Sequence, residues 1–175
     1  MKKHAILIVL VVFFVSLILI SNLMFSLLEK ADTPPEIGVV QEQFQNRCAD
    51  ISLVVDYLAA SGYENVYIND REKDMLADFV RMPIDDLEIY TVITDLFESG
   101  YCTQINKIGN TIYLLQWKGI RDIGCGVAYS INGIDLPKIQ YATELVPLSE
   151  DSWYYYVADY NEARILMAGD ELREP

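Results

Sequence analysis

The chain has 175 residues, of which 52% are hydrophobic, 13 are Lys or Arg and 26 are Asp or Glu. This length allows one domain of ordinary size plus an appendage. Twelve Tyr, two Trp and 22% charged residues exclude a disordered chain. A net charge of −13 argues against a nucleic-acid-binding protein, because such a protein needs a basic surface.

The charge is divided unevenly along the chain. Residues 1–30 contain three Lys and one Glu, whereas residues 31–175 contain ten Lys or Arg and 25 Asp or Glu, a net charge of −15. All twelve Tyr and all three Cys also lie in the second part. The sequence therefore predicts a basic, apolar head followed by an acidic globular body.

The head contains an uncharged apolar segment over residues 5–28. As a helix its 24 residues would be about 36 Å long, and the hydrocarbon core of a bilayer is roughly 30 Å thick. We therefore expect a transmembrane signal-anchor helix. A cleaved signal peptide remains the alternative, although its apolar stretch would ordinarily be shorter, about 7–15 residues.

The flanks of this segment predict its orientation. Lys2 and Lys3 precede it, and Lys30 is the single cation near its other end. Because cations favour the cytoplasmic side, we expect residues 1–4 in the cytoplasm and the body outside the cell membrane. Pro34 and Pro35 then favour an extended linker over residues 29–36, which would place an extracytoplasmic domain at 37–175.

The first half of the body shows helical periodicity. A first helix is predicted from about residue 37 to Ser61-Gly62, a short strand over 66–68, a second helix over 69–80 and a third from Pro83 to about Ser99. The apolar stripe of the first helix comprises Val40, Phe44, Cys48, Ile51, Val55 and Leu58. The inward face expected for the third helix comprises Leu87, Tyr90, Ile93, Leu96 and Phe97.

The second half shows the alternation of β-strands. We expect strands over 103–108 and 111–117 around the hairpin dipeptide Gly109-Asn110, and further strands over 126–131, 139–147 and 152–160. Helices followed by strands predict an α+β fold, with about three helices packed on an antiparallel sheet of four to five strands.

The sequence excludes several chemistries from the body. His4 is the only histidine, so the body has no Ser-His-Asp triad, no Cys-His dyad and no histidine metal ligand. Residues 70–81 alternate acidic side chains as a calcium loop does, but Met75 and Arg81 replace the required Gly and Glu. We therefore predict no catalytic, cofactor or metal site.

The three cysteines, Cys48, Cys102 and Cys125, allow three single-disulfide pairings. The favoured pairing is Cys102 with Cys125, since both lie beside predicted turns, and Gly124 and Gly126 suggest a tight turn around Cys125. The absence of a disulfide and a pairing through Cys48 remain alternatives.

A run of four aromatic residues is the candidate interaction surface: Trp153, Tyr154, Tyr155 and Tyr156. On a strand, alternate members face opposite sides, so one pair would be core and the other an exposed contact surface for a protein partner. The leading hypothesis is a non-enzymatic, membrane-anchored binding, sensing or assembly domain whose expected partner is a protein, and the acidity of the body would favour a cationic one. The alternative is a carboxylate-dependent hydrolase of envelope polysaccharide.

Overall fold

The structure is a computed structural model, and it describes residues 2–69, 84–120, 122–148 and 151–161. The chain divides into two compact units, Met1–Thr33 and Pro34–Pro175. The boundary falls within residues 29–36, the predicted linker.

The first unit contains a single long helix, α1 (Lys2–Ala31). Its stretch Phe13–Ala31 has a mean hydropathy of 1.6. Among the described residues, this is the one helical stretch that is long and apolar enough to cross a membrane. Every side chain of this stretch is exposed in the structure. Such a continuous apolar surface needs an apolar environment or a partner. The predicted apolar helix over 5–28 is confirmed as a helix.

The second unit is an α+β fold, as predicted. Six strands form one antiparallel sheet in the order β1-β2-β3-β4-β6-β5, so the sheet has more strands than the four to five expected. The helices are α2 (Ile37–Ala60) and α3 (Leu87–Glu98). The strands are β1 (Asn65–Asn69), β2 (Gln104–Ile108), β3 (Thr111–Lys118), β4 (Ile123–Ser130), β5 (Ala142–Pro147) and β6 (Trp153–Asp159).

Helix α2 packs its predicted stripe onto one face of the sheet, which we call the inner face. All the predicted stripe residues are buried except Cys48, which is half-buried. The ring of Phe44 lies 4.7 Å from that of Trp153 on β6, measured between centroids. Burial of each large apolar side chain contributes about 1.5–3 kcal/mol, so this stripe stabilises the contact between helix and sheet.

The inward face that the sequence predicts for helix α3 is partly wrong. Ile93, Leu96 and Phe97 are buried as expected, but Leu87 is 79% exposed and Tyr90 is 43% exposed. Ile89 is buried in their place. The buried residues share one narrow stripe at a period of 3.6, and Leu87 lies about one third of a turn away from its centre at Ile93.

Helix α3 begins at Leu87, so the predicted start at Pro83 is wrong: residues 84–86 are not helical, and Asp86 is the N-cap. The side chain of Asp86 accepts hydrogen bonds from the backbone N–H groups of Glu88 and Ile89. A carboxylate at this position satisfies two N–H groups that have no partner within the helix. The predicted second helix over 69–80 lies outside the described residues except for Asn69. Pro83 also lies outside them.

The opposite face of the sheet, the outer face, has a small apolar cluster of its own. Its buried members are Tyr113, Ala128, Ile139, Tyr156 and Ala158, from β3, β4, β6 and the segment before β5. Since no helix among the described elements contacts this face, side chains and the segment ending at Ile139 cover this part of the sheet.

Small residues on the outer side of β4 make room for this cluster. Gly126 pairs in register with Tyr156 of β6, and the hydroxyl of Tyr156 donates to the carbonyl oxygen of Leu114 on β3, at 3.4 Å. The tyrosine side chain therefore crosses β4 above Gly126. The predicted tight turn at Gly124 and Gly126 is wrong, because both residues lie within strand β4. A Cβ at Gly126 would meet the backbone of Leu114, and one at Gly124 would meet the side chains of Leu115 and Tyr160.

We predict that Gly126→Ala destabilises the second unit by about 1–3 kcal/mol or more, because a Cβ at residue 126 would lie 1.9 Å from the oxygen of Leu114. Gly38→Ala is the matched control, since a Cβ there meets nothing within 4 Å. The control should be neutral or slightly stabilising, as alanine favours the helix. Denaturant unfolding of residues 34–175, followed by tryptophan fluorescence, measures both. Equal stability of the two variants would contradict the packing described here.

Candidate functional site

The aromatic run of β6 is mainly core. Trp153 and Tyr155 point to the inner face and Tyr156 to the outer face, so the predicted alternation holds. Trp153 and Tyr155 are 5% and 3% exposed, and Tyr156 is fully buried. Tyr154, which is half-buried, is the only member that retains appreciable accessible surface. The run as a whole therefore does not provide the exposed pair that the sequence suggested.

The contacts of the inner pair explain their burial. The ring of Trp153 lies between those of Phe44 and Tyr129, with centroid distances of 4.7 Å and 4.9 Å. The hydroxyl of Tyr155 donates to the backbone oxygen of Pro35, at 3.1 Å. Burial raises the pKa of Tyr155, so this side chain stays a neutral donor. Trp153 and Tyr155 therefore hold the first half of α2, and the residue Pro35 before it, against the sheet.

Cys102 and Cys125 are both buried, and their thiols are not bonded to each other. Strand β3 separates them: the N–H of Thr103 donates to Leu115 of β3, and Cys125 pairs in register with Trp117 on the other side of β3. Positions two strands apart are roughly 9–10 Å apart, whereas a disulfide needs Cα atoms about 4.4–6.8 Å apart. The register therefore disfavours the predicted pairing.

Burial also makes Cys125 unreactive. It raises the pKa of this thiol to about 11, so the thiol is protonated at neutral pH and is a poor nucleophile. Cys48 is half-buried, and its sulfur lies 3.9 Å from the hydroxyl oxygen of Ser52.

We predict that the native protein contains no Cys102–Cys125 disulfide. Denaturation without a reductant, followed by alkylation and mass spectrometry, should show all three cysteines alkylated. A pretreatment with reductant is the control and should not increase the number of alkylated cysteines. A mass two alkyl groups lower without reductant, with the linked peptide containing residues 102 and 125, would contradict the strand register.

Two helices of the second unit form an acidic layer. Arg47 is the only cation in α2 and in residues 84–98. It forms salt bridges with Asp50 at 3.0 Å and with Asp95 of α3 at 2.7 Å. Eight carboxylates accompany it, and all but Asp50 are exposed. We define the acidic helical layer by these residues: Glu42, Asp50, Asp56, Asp85, Asp86, Glu88, Asp95 and Glu98.

A buried cation, Lys107, fastens the end of α2 to strand β2. Lys107 is 5% exposed, and its Nζ donates to the carbonyl oxygen of Leu58 at 2.7 Å and to the hydroxyl of Ser61 at 3.4 Å. The C-terminus of a helix carries partial negative charge and so stabilises an ammonium group. Burial acts in the opposite sense and lowers the pKa of Lys107. Its inward position, two residues after buried Ile105, was the sequence signal that could have identified it.

Cavities open on both sides of the sheet among the described residues. A cavity of about 330 Å³ on the inner side is lined by Asp56 and Asp151, together with Cys48 and Trp153. A larger groove of about 520 Å³ opens on the side chains of β1, β2 and β3, at the end where β2 begins. Periodicity did not indicate either cavity, because each combines residues distant in the sequence.

Known proteins provide no further guide to the function. The chain matches no protein-family model, no curated protein and no solved structure. Within the described ranges, no group of three or more His, Cys, Asp or Glu side chains could hold a metal ion. The residues of the candidate calcium loop, 70–81, lie outside those ranges.

Proposed function

We propose that this protein is a single-pass membrane protein whose acidic α+β domain lies outside the cytoplasm and binds a partner there, without catalysing a reaction. The observation that carries the proposal is the presence of two dissimilar units in one chain. Phe13–Ala31 is an apolar helix with exposed side chains, and Pro34–Pro175 is a compact acidic body. The anchor would hold the body at the membrane surface, where binding is confined to nearby partners.

The orientation rests on the charges flanking the helix. Lys2 and Lys3 lie before it, and the many carboxylates lie after it. Cations near a transmembrane end favour the cytoplasmic side. A domain of net charge −15 outside the cell membrane would be kept away from anionic lipid head groups and would attract cationic partners.

We predict that a reporter active only outside the cytoplasm is active when fused after Pro175. The reason is the retention of Lys2 and Lys3 in the cytoplasm, so Lys2→Glu/Lys3→Glu should lower the reporter's activity. Extraction of the protein should require detergent. A reporter active only in the cytoplasm would overturn the proposed location, and a mature chain that begins near residue 31 would show cleavage instead of anchoring.

The acidic helical layer is the surface we propose for a cationic protein partner. We predict that Glu42→Gln/Glu88→Gln slows association with a partner captured by the wild-type chain by several-fold, and that added salt has the same effect, since both weaken electrostatic steering. Glu64→Gln/Glu144→Gln is the matched control, because it removes two exposed carboxylates outside the layer. Association rates come from surface-immobilised full-length chain at two salt concentrations.

Equal effects of the two double variants would show that the layer is not the contact surface. Binding that is unaffected by added salt and by removal of the carboxylates would contradict the proposal of a cationic partner.

A carboxylate-dependent hydrolase of envelope polysaccharide is the second candidate. One observation favours it: Asp56 and Asp151 line the same cavity of about 330 Å³. Paired carboxylates can cleave glycosidic bonds as acid and as base or nucleophile. Release of reducing ends from wall polysaccharide, abolished by Asp56→Asn or Asp151→Asn, would support this candidate and overturn the non-catalytic proposal.

A further inference from the structure

The groove on β1, β2 and β3 has hydrogen-bonding groups on its walls. Tyr67 and Asn69 contribute from the outer side of β1, Thr103 and Gln104 from the start of β2, and Lys118 from the end of β3. Leu115, which is 6% exposed, lines the same groove from β3. A volume of about 520 Å³ is within the usual range of small-molecule sites.

Neutral hydrogen-bonding groups dominate this groove, although the body is strongly acidic. Its described lining contains a phenol, two amides and a hydroxyl, and no carboxylate. The one charged lining residue, Lys118, is paired with Asp122 at 2.9 Å. The groove therefore offers donors and acceptors in similar numbers with almost no net charge.

The amides of the groove continue into the sheet as an incomplete hydrogen-bond network. Asn69 Nδ2 donates to the hydroxyl of Tyr67 at 3.3 Å, and Gln104 Nε2 donates to Oδ1 of Asn106 at 2.9 Å. Asn106 is 4% exposed, and its Nδ2 has no hydrogen-bond partner in the structure. A buried amide N–H without a partner is unfavourable, and a ligand or water that reached it would remove that cost.

Asn106 lies directly beside the groove. It pairs in register with Tyr67 on β1, and its bonded neighbour is Gln104, so two of its contacts are groove-lining residues. The unpartnered Nδ2 of Asn106 is an observation independent of the groove's shape.

We propose that this groove binds a neutral oligosaccharide. Sugar hydroxyls both donate and accept hydrogen bonds, as the amides of Asn69, Gln104 and Asn106 do. The ring of Tyr67 provides an amphipathic surface for the apolar face of a sugar ring. The inference rests on the proposed function, since a body outside the membrane would meet envelope polysaccharide.

Two other classes of ligand fit less well. A polyanion would be repelled by a body of net charge −15, and Lys118, the one cation among the described lining residues, is already paired. A peptide would need apolar pockets for its side chains, and Leu115 is the single aliphatic side chain among the described residues that line the groove.

The test is calorimetric titration of the full-length chain in a zwitterionic detergent that has no sugar head group. The probes are the tetramer of N-acetylglucosamine, the tetramer of galacturonic acid and a blocked tetra-alanine peptide, each at up to about 10 mM to detect millimolar affinities. We expect saturable binding of the neutral tetramer alone. No saturable binding of it, or equal binding of the acidic tetramer or the peptide, overturns the proposal.

Variants locate the site. Gln104→Ala and Tyr67→Ala should each weaken binding by about tenfold, the effect of losing roughly one good contact. Gln45→Ala and Tyr90→Ala are the matched controls, because both residues are exposed on the helices of the inner side. Tyr67→Phe keeps the ring and should weaken binding less than Tyr67→Ala, so lost packing can be separated from a lost hydroxyl.

Binding that is unchanged in Gln104→Ala and Tyr67→Ala overturns the assignment of the groove. Tryptophan fluorescence of each variant confirms that it is folded. If the oligosaccharide binds but the reporter shows a cytoplasmic body, the proposed location fails and the groove stands. If the reporter shows an external body but the neutral tetramer does not bind, only the groove inference fails.

Discussion

The side chain of Tyr156 crossing β4 above Gly126 is the contact on which the arrangement of the sheet depends. An antiparallel sheet has two faces, and α2 and α3 cover one. On the other face, the hydroxyl of Tyr156 donates to the oxygen of Leu114, the same atom that a Cβ at residue 126 would approach to 1.9 Å. This contact ties β6 to β3 across β4, so three strands are held together on the face that no described helix covers.

The same contact divides the outer face into two parts. From β3 to β6 the face is apolar and closed by Tyr113, Ala128 and the chain around Ile139. At β1 and the start of β2 the face carries Tyr67, Asn69 and Gln104, which the apolar cluster does not reach. The groove is therefore located where the outer covering ends. A polar groove next to a rigid apolar cluster is a suitable geometry for binding, because its walls are already ordered.

Much of the second unit could be predicted from the sequence, because local signals are strong there. The stripe of α2 and the hairpin at Gly109-Asn110 follow from periodicity and turn chemistry. The boundaries of β4 could not be predicted, because Gly124 and Gly126 have low β-propensity by themselves. Their place in a strand depends on the close approach of β3, whose Leu114 and Leu115 lie next to them, and this is tertiary information.

The candidate sites were harder to predict for the same reason. The sequence marks the run from Trp153 to Tyr156 as conspicuous, but aromatic density does not distinguish core from surface. A lysine in a strand is ordinarily exposed. The burial of Lys107 depends on the end of α2, where the carbonyl oxygen of Leu58 accepts a hydrogen bond from its Nζ. The groove brings together Asn69 and Gln104, which are far apart in the chain but are paired in register across β1 and β2.

The distribution of the charges supports the proposal that this body binds a partner. Acidity that served only solubility would need no particular distribution, because the net charge alone keeps proteins apart. In this domain the carboxylates of α2 and α3 share one side, where Arg47 is already engaged by Asp50 and Asp95. The groove opens on the outer face of the sheet and has no carboxylate among its described lining residues. One side therefore suits a cationic protein and the other a neutral ligand, so the two could be bound together.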